Sequence, residues 1–280
     1  MKIISTIKKK LIEYLNNKNG RLLLSIIFSL ISSLKKMKCY TISYDKETRL
    51  WLHKKGGETL VVEDLPDFAI SKKRMTAVTL RTFFKYYTPQ AKDTLVDIGA
   101  GVENDVYVIN SHFEGSPAIY AIEAHPNTFR KLSYMVKKNN YSNVHCHNIA
   151  IVEEKKELYI SDADNHSANR ISENEGGCKV EGLTMDEFVK KNNISKIDFL
   201  KMNIEGAERE ALIGMKETLQ KVSNIMVACH DKLSQYYDND PYFITRDFVV
   251  KTLEENNFKI LEEDETPYHI NIFAQKRINS

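Results

Sequence analysis

The chain has 280 residues, 42% of them hydrophobic and 28% charged, which excludes a disordered or collagen-like polymer and allows one large domain, or a domain of roughly 190 residues with an extension. The net charge of +2 is unevenly spread, because residues 1–40 hold nine lysines and arginines against the single Glu13, giving +8 there and −6 for the remainder. An acidic body speaks against nucleic acid as the main substrate, since such binding relies on Lys and Arg neutralising phosphates.

In chain order, the first element is an apolar stretch from Leu22 to Leu34, broken by Ser25, Ser29, Ser32 and Ser33 and flanked by lysines. It is shorter than the run of about 20 apolar residues that spans a bilayer. A secretory signal does not fit either, because Lys35-Lys36 follows where a small-residue cleavage site should stand. Two readings stay open for residues 1–38: a helix lying on an anionic membrane surface at the inner face of the membrane, or one docked on the body or on a partner chain. Residues 39–73 form a second, β-rich segment. Alternation in Tyr40 to Tyr44 and Leu50 to His53, around Asp45-Lys46-Glu47-Thr48, predicts a hairpin, and Thr59 to Val62 a further strand. Helical spacing then runs from Met75 to Tyr87 and stops at Thr88-Pro89.

Residues 74–280 form the third and main unit. From Thr94 onward short apolar runs alternate with amphipathic helices, which predicts an α/β, doubly wound, Rossmann-like sheet, mostly parallel with an antiparallel edge strand. The strands are placed at Thr94 to Ile98, Ala118 to Ile122, Val144 to Ile151, Ile197 to Met202, Asn224 to Ala228, Lys259 to Leu261 and His269 to Ala274. Helices are placed at Pro126 to Asn139, Thr184 to Asn192, Ala207 to Lys216 and Phe243 to Asn256. The polar run Ser161 to Gly177, after a short strand at Glu157 to Ile160, reads as a mobile insertion near the site. Cys39, Cys146, Cys178 and Cys229 form no Cys-x-x-Cys pair, so free thiols and a cytoplasmic location are expected. His145-Cys146-His147 suggests a metal site, but alternation along a strand separates Cys146 from the two histidines, and no metal is expected.

Three motifs carry the chemistry. The strand Thr94 to Ile98 runs into Gly99-Ala100-Gly101, a bare-backbone turn at the carboxyl edge of a parallel sheet, where such sheets bind ligands. The strand ending at Glu123 places an acid where a ribose diol would be held. A dinucleotide fingerprint starting at Gly99 would want Gly or Ala at position 104, where the chain has Asn104. Finally, the run from Ile197 to Glu208 emerges from a buried strand at Asn203, turns at Gly206 and opens a helix, clustering Asn203, Glu205 and Glu208 at the ligand edge. Glu208 is also explained by the preference for an acid in a first helical turn.

Asp97-Ile98-Gly99-Ala100, Glu123-Ala124-His125-Pro126, Asn148-Ile149-Ala150-Ile151, Leu183-Thr184-Met185-Asp186 and Leu200-Lys201-x-x-x-Glu205-Gly206-Ala207-Glu208 stand in the order found in the FkbM family. Over about residues 74–275 the chain resembles these S-adenosylmethionine-dependent, mostly oxygen-directed methyltransferases. The resemblance implies that Asp97, Gly99, Ala100 and Gly101 hold the methionine end of S-adenosylmethionine, Glu123 the ribose, and Asn148 to Ala150 the adenine surroundings. Asn203, Glu205 and His230 would then lie nearest the transferred methyl, with His230 as general base and Glu205 positioning substrate or cofactor; a partly buried strand-end histidine is the other reading of His230. The family usually has Asn and then Gly in the first loop and Asp before the Glu-Gly pair, where this chain has Gly101, Glu103 and Asn203. The acceptor implied is a small molecule, glycan or glycolipid. Two other functions share part of the pattern: a nicotinamide-dependent oxidoreductase, which leaves Lys201 to Glu208 unexplained, and a catalytically degenerate membrane-peripheral binding protein.

Overall fold

A computed structural model describes residues 12, 14–17, 20–36, 41–62, 72–102, 105–113, 115, 117–161, 171–172 and 177–277. Its centre is a seven-stranded sheet of β4 (Thr94–Ile98), β5 (Ala118–Ile122), β6 (Val144–His147), β11 (Ile197–Met202), β12 (Val222–Cys229), β13 (Phe258–Glu265) and β14 (Ile270–Lys276), in the order β13-β14-β12-β11-β4-β5-β6. Pairing is parallel from β6 to β12, and β14 runs antiparallel to both of its neighbours. Strand order reverses between β4 and β11, so the carboxyl ends of those two strands open the crevice in which doubly wound sheets bind ligands.

Side-chain alternation sends neighbouring residues of each strand into two different cores. Val96, Ile98, Leu200, Met202, Ile225 and Val227 face one core, which is completed by helices α5 (Met185–Lys191), α6 (Glu208–Ile213) and α7 (Arg246–Glu255). Leu95, Phe199, Met226, Ala228 and Phe273 face the other, beneath α2 (Lys72–Phe83), α3 (Asp105–His112) and α4 (Pro126–Asn139). Burial on both faces is why these strands read as mostly apolar runs. Phe199 is gripped by Phe84 and Tyr87, with ring centroids 4.9 and 4.8 Å away.

Several boundaries follow local chemistry that periodicity does not reveal. The strand expected from Val144 to Ile151 breaks after His147, because Asn148 donates to the carbonyls of Glu123 and Ala124, each at 2.9 Å. Ala150–Ile151 (β7) then pairs in a separate four-stranded sheet with β10 (Cys178–Leu183), followed by β8 (Lys156–Ile160) and β9 (Ile171–Ser172). Most of the expected insertion, residues 162–170 and 173–176, lies outside the described residues, as does the first-loop residue Glu103. Helix α5 starts one residue late because Thr184 is its cap: the Glu187 amide donates to the Thr184 hydroxyl at 3.1 Å, and the Glu187 carboxylate accepts from the Thr184 amide. The Ala207 to Lys216 helix is shorter than its pattern, ending at Ile213.

At the amino end, α1 (Gly20–Lys36) packs Leu24 and Phe28 against Ile42 and Trp51. Ile42 and Trp51 belong to a three-stranded antiparallel sheet of β1 (Thr41–Asp45), β2 (Leu50–Lys55) and β3 (Glu58–Val62). The β1–β2 turn is held by Asp45, whose carboxylate accepts from the amides of Glu47 and Thr48. This sheet is tied to the body where Asn139 accepts from the Thr59 amide and donates to the Thr59 carbonyl, both at 2.7 Å.

Candidate active site

The glycine turn after β4 is fixed by its neighbours. Gly99 and Ala100 both donate to the Ile122 carbonyl, at 2.9 and 3.0 Å. Gly99 has φ 77°, and a Cβ there would sit 2.0 Å from the Asn203 carbonyl oxygen, so conformation and space both require glycine. Gly101 donates to Glu123 Oε2 at 2.9 Å, while His125 donates to Glu123 Oε1 at 2.8 Å. Burial pushes the Glu123 carboxyl up, and these two amides pull it partly back. Asp97, Gly99, Ala100, Gly101 and Glu123 thus form one continuous edge, with Asn148 bracing the loop that follows Glu123. Ala150 is different: its side chain is enclosed in a satellite core with Val152, Leu158, Ile160 and Val180.

Lys201 is a site residue to which its position in the motif assigned no role. Its Nζ lies 2.9 Å from Asp97 Oδ1 and 3.2 Å from Asp105 Oδ2, and it donates to the Gly99 carbonyl at 3.3 Å. All three charged side chains are buried, and burial alone would lower the Lys201 pKa, yet the two carboxylates outweigh it and hold the ammonium above its ordinary range. Burial pushes Asp97 up, with Lys201 opposing. Lys201 therefore anchors the acid of the first motif to the turn.

Two buried acceptors at this edge have no hydrogen-bond partner among the described residues: Asp97 Oδ2 and Asn203 Oδ1. They sit at the carboxyl ends of neighbouring strands, where the Asn203 amide continues the ladder by donating to the Ile98 carbonyl at 2.9 Å. Unpaired buried acceptors beside a bare-backbone turn are what a ligand carrying an ammonium group would satisfy. The residues present fit the methionine end of S-adenosylmethionine in this respect.

Just beyond the carboxyl ends of β11 and β12 a second cluster comes together. Glu205 has φ 55° and Gly206 φ 112°, which turns the chain sharply into α6. Glu208, fully buried, accepts from the Gly206 amide, as a first-turn acid does. It also reaches His230, with Glu208 Oε1 3.0 Å from His230 Nδ1, and accepts from the Thr245 hydroxyl through Oε2 at 3.0 Å. Burial would lower the His230 pKa, but the hydrogen bond and charge of Glu208, with Glu205 and Asp231 behind it, raise it above 6.5. The ring of His269 lies 5.7 Å from that of His230; burial, reinforced by the His230 and Lys232 charges, lowers the His269 pKa to about 4.

His145 and His147 both stack on Tyr120, with centroids 5.1 and 6.1 Å away, and no group of three or more His, Cys, Asp or Glu among the described residues is arranged to hold a metal ion. A polar recess of about 390 Å³ lies at the opposite, amino-terminal edge of the sheet, lined in part by Asp93, Thr94, Ile194 and Asp198, remote from this chemistry.

A seven-stranded sheet with an antiparallel β14, a glycine turn, an acid after the second strand and a polar cluster after the fourth defines a Rossmann-like methyltransferase. The methyltransferase FkbM domain matches residues 97–260, more than half of the chain, and the chain belongs to that family of S-adenosylmethionine-dependent methyltransferases. Membership sets the nicotinamide-dependent reading aside. Among solved structures, the chain is similar in fold to precorrin-6y C5,15-methyltransferase from Geobacter metallireducens GS-15, at 14% identity and TM-score 0.45 over 76% of this chain and 94% of that one. It is likewise similar to an O-methyltransferase from Bacillus cereus in complex with SAH, at 13% identity and TM-score 0.46 over 76% and 84%. Aeropyrum pernix fibrillarin with bound S-adenosyl-L-methionine gives 12% identity and TM-score 0.46 over 85% and 100%. These likenesses are distant and say nothing of this chain's acceptor. No curated protein matches the sequence.

Proposed function

We propose that this chain methylates a hydroxyl group on a glycan, glycolipid or related natural product, with His230 as the general base. The supporting observation is the buried contact between Glu208 and His230. Donation from Nδ1–H to the Glu208 carboxylate fixes the imidazole tautomer and leaves the Nε2 lone pair to receive a proton. A sugar hydroxyl is a weak nucleophile, and a positioned base contributes about 10²–10⁴ in rate. An amine attacking as the free base has less need of one, which is why an oxygen acceptor fits this site best.

In this reading Asp97, Asn203 and the Gly99–Gly101 backbone hold the methionine end of the cofactor, Glu123 faces the ribose, and Asn148 supports the adenine side. When bound, S-adenosylmethionine supplies an electrophilic methyl group on a sulfonium. His230 Nε2 takes the hydroxyl proton as the acceptor oxygen attacks. Glu208 and Glu205 stabilise the imidazolium that results, Glu208 by direct contact and Glu205 by charge. Asn203 holds an amide where the family usually has a carboxylate, so it acts in positioning and leaves the proton to His230.

The test is calorimetric titration with S-adenosylmethionine and with NAD, followed by methyl-release assays on parallel panels of hydroxyl and amine acceptors. Binding of S-adenosylmethionine with turnover on hydroxyl acceptors is expected. Turnover confined to amines would overturn the oxygen assignment, and binding without turnover on any acceptor would favour the degenerate binding protein.

A further inference from the structure

Helix α1 wears its side chains in an inverted pattern. Every exposed position between Gly20 and Leu34 is leucine or isoleucine: Leu22, Leu23, Ile26, Ile27, Leu30 and Leu34, at 37 to 78% exposure. None of the four serines is exposed. Ser32 is fully buried, Ser25 donates to the Arg21 carbonyl, and Ser29 accepts from the Ile42 amide at 2.8 Å. The inner face is already occupied, with Leu24 and Phe28 packed on Ile42 and Trp51. A helix docked on a soluble body normally places its apolar stripe inward and its polar residues outward. Here both faces are apolar and the outer one has no partner among the described residues.

We infer that the outer face of α1 lies on the surface of an anionic lipid bilayer. Charge selects this occupant over a second copy of the chain. Residues 1–40 carry +8, and residues 20–36 contain no acidic side chain. Pairing two such faces would bring two strongly positive segments together, whereas an anionic leaflet attracts each lysine and arginine near it. The remaining residues, at −6, would be repelled by the same surface, so the contact is confined to this end of the chain. With 17 residues the helix is about 25 Å long, and no helix among the described residues is long and apolar enough to cross a membrane. The geometry is that of a helix lying in the interface with its exposed aliphatic side chains in the acyl boundary, and the basic composition of this end of the sequence supplies the attraction to anionic headgroups. This inference is independent of the acceptor and of the role of His230.

The test is co-sedimentation of the full chain with vesicles of three parts phosphatidylcholine to one part phosphatidylglycerol, and with vesicles of phosphatidylcholine alone. The comparison is a variant carrying Leu23→Ser, Ile26→Ser, Leu30→Ser and Leu34→Ser, all on the exposed face. The wild type is expected to bind the anionic vesicles preferentially, and the variant to bind them at least about tenfold more weakly, with unchanged circular dichroism. Failure of the wild type to bind anionic vesicles, or equal binding by the variant, would overturn the inference. So would a wild-type dimer in sedimentation velocity that the variant dissolves, since the face would then be a subunit interface.

Discussion

Oε1 of Glu208 lies 3.0 Å from Nδ1 of His230, and both side chains are buried. Burial alone would lower the His230 pKa; the carboxylate reverses that and holds it above 6.5. Because the base must be neutral to accept a proton, methyl transfer should rise with pH along a limb whose midpoint lies above 6.5. Glu208→Gln removes the charge while keeping the shape, so the midpoint should move to lower pH and the plateau rate should fall. Single-turnover rates from pH 5 to about 9.5 check both effects. A merely structural Glu208 would change stability without moving the midpoint.

The same contact has a stability consequence of opposite sense. With the folded pKa of His230 raised above its unfolded value, its contribution is complete below about pH 6.5 and is lost as pH rises through the folded pKa. The difference in urea midpoint between the wild type and His230→Gln should therefore be larger at pH 6 than at about pH 9.

Lys201 is the only cation in direct contact with Asp97 among the described residues. Lys201→Met should destabilise the chain by about 3–5 kcal/mol in urea unfolding, because it leaves Asp97 and Asp105 buried without their counter-charge. Adding Asp97→Asn should recover part of that loss while weakening S-adenosylmethionine binding measured by calorimetry.

Gly99→Ala forces a side chain into the left-handed region and toward the Asn203 carbonyl. The conformational part alone costs about 1–2 kcal/mol, and the collision with backbone adds to it. Reduced thermal stability together with lost cofactor binding is expected, whereas Ala91→Gly on the exposed loop before β4 should affect neither.

His53 offers an acid-sensitive test of the amino-terminal sheet. It is 5% exposed, neither ring nitrogen has a hydrogen-bond partner among the described residues, and burial lowers its pKa from 6.5 to about 4. Its contribution is complete above pH 6.5 and is lost as pH falls toward 4; at about 1.4 kcal/mol per unit, about 3 kcal/mol is at stake. His53→Leu should flatten the decline in unfolding midpoint between those pH values.

The sequence was most legible where one local rule decides the outcome. Strands β4, β5, β11 and β12 are mostly apolar runs because both faces are buried, and the glycine turn and Glu123 follow directly from them. Helix α3 was illegible because Val106, Tyr107, Val108 and Ile109 are all buried, which erases helical periodicity. The sheet built on β7 and β10 depended on a single Asn148 side chain leaving the main ladder. The partners of Glu208 lie 22 and 37 residues further along the chain, so its first-turn position was visible and its grip on His230 was not. Likewise, nothing local indicates that Lys201 reaches two carboxylates on a different strand and helix.

The most direct test of the proposed chemistry is the single-turnover rate of methyl transfer from S-adenosylmethionine to a hydroxyl acceptor in the His230→Ala variant, with cofactor affinity measured in parallel. The expected result is a rate lower by about 10²–10⁴ with affinity close to that of the wild type. An undiminished rate in a variant that still binds the cofactor would contradict the assignment of His230 as the base.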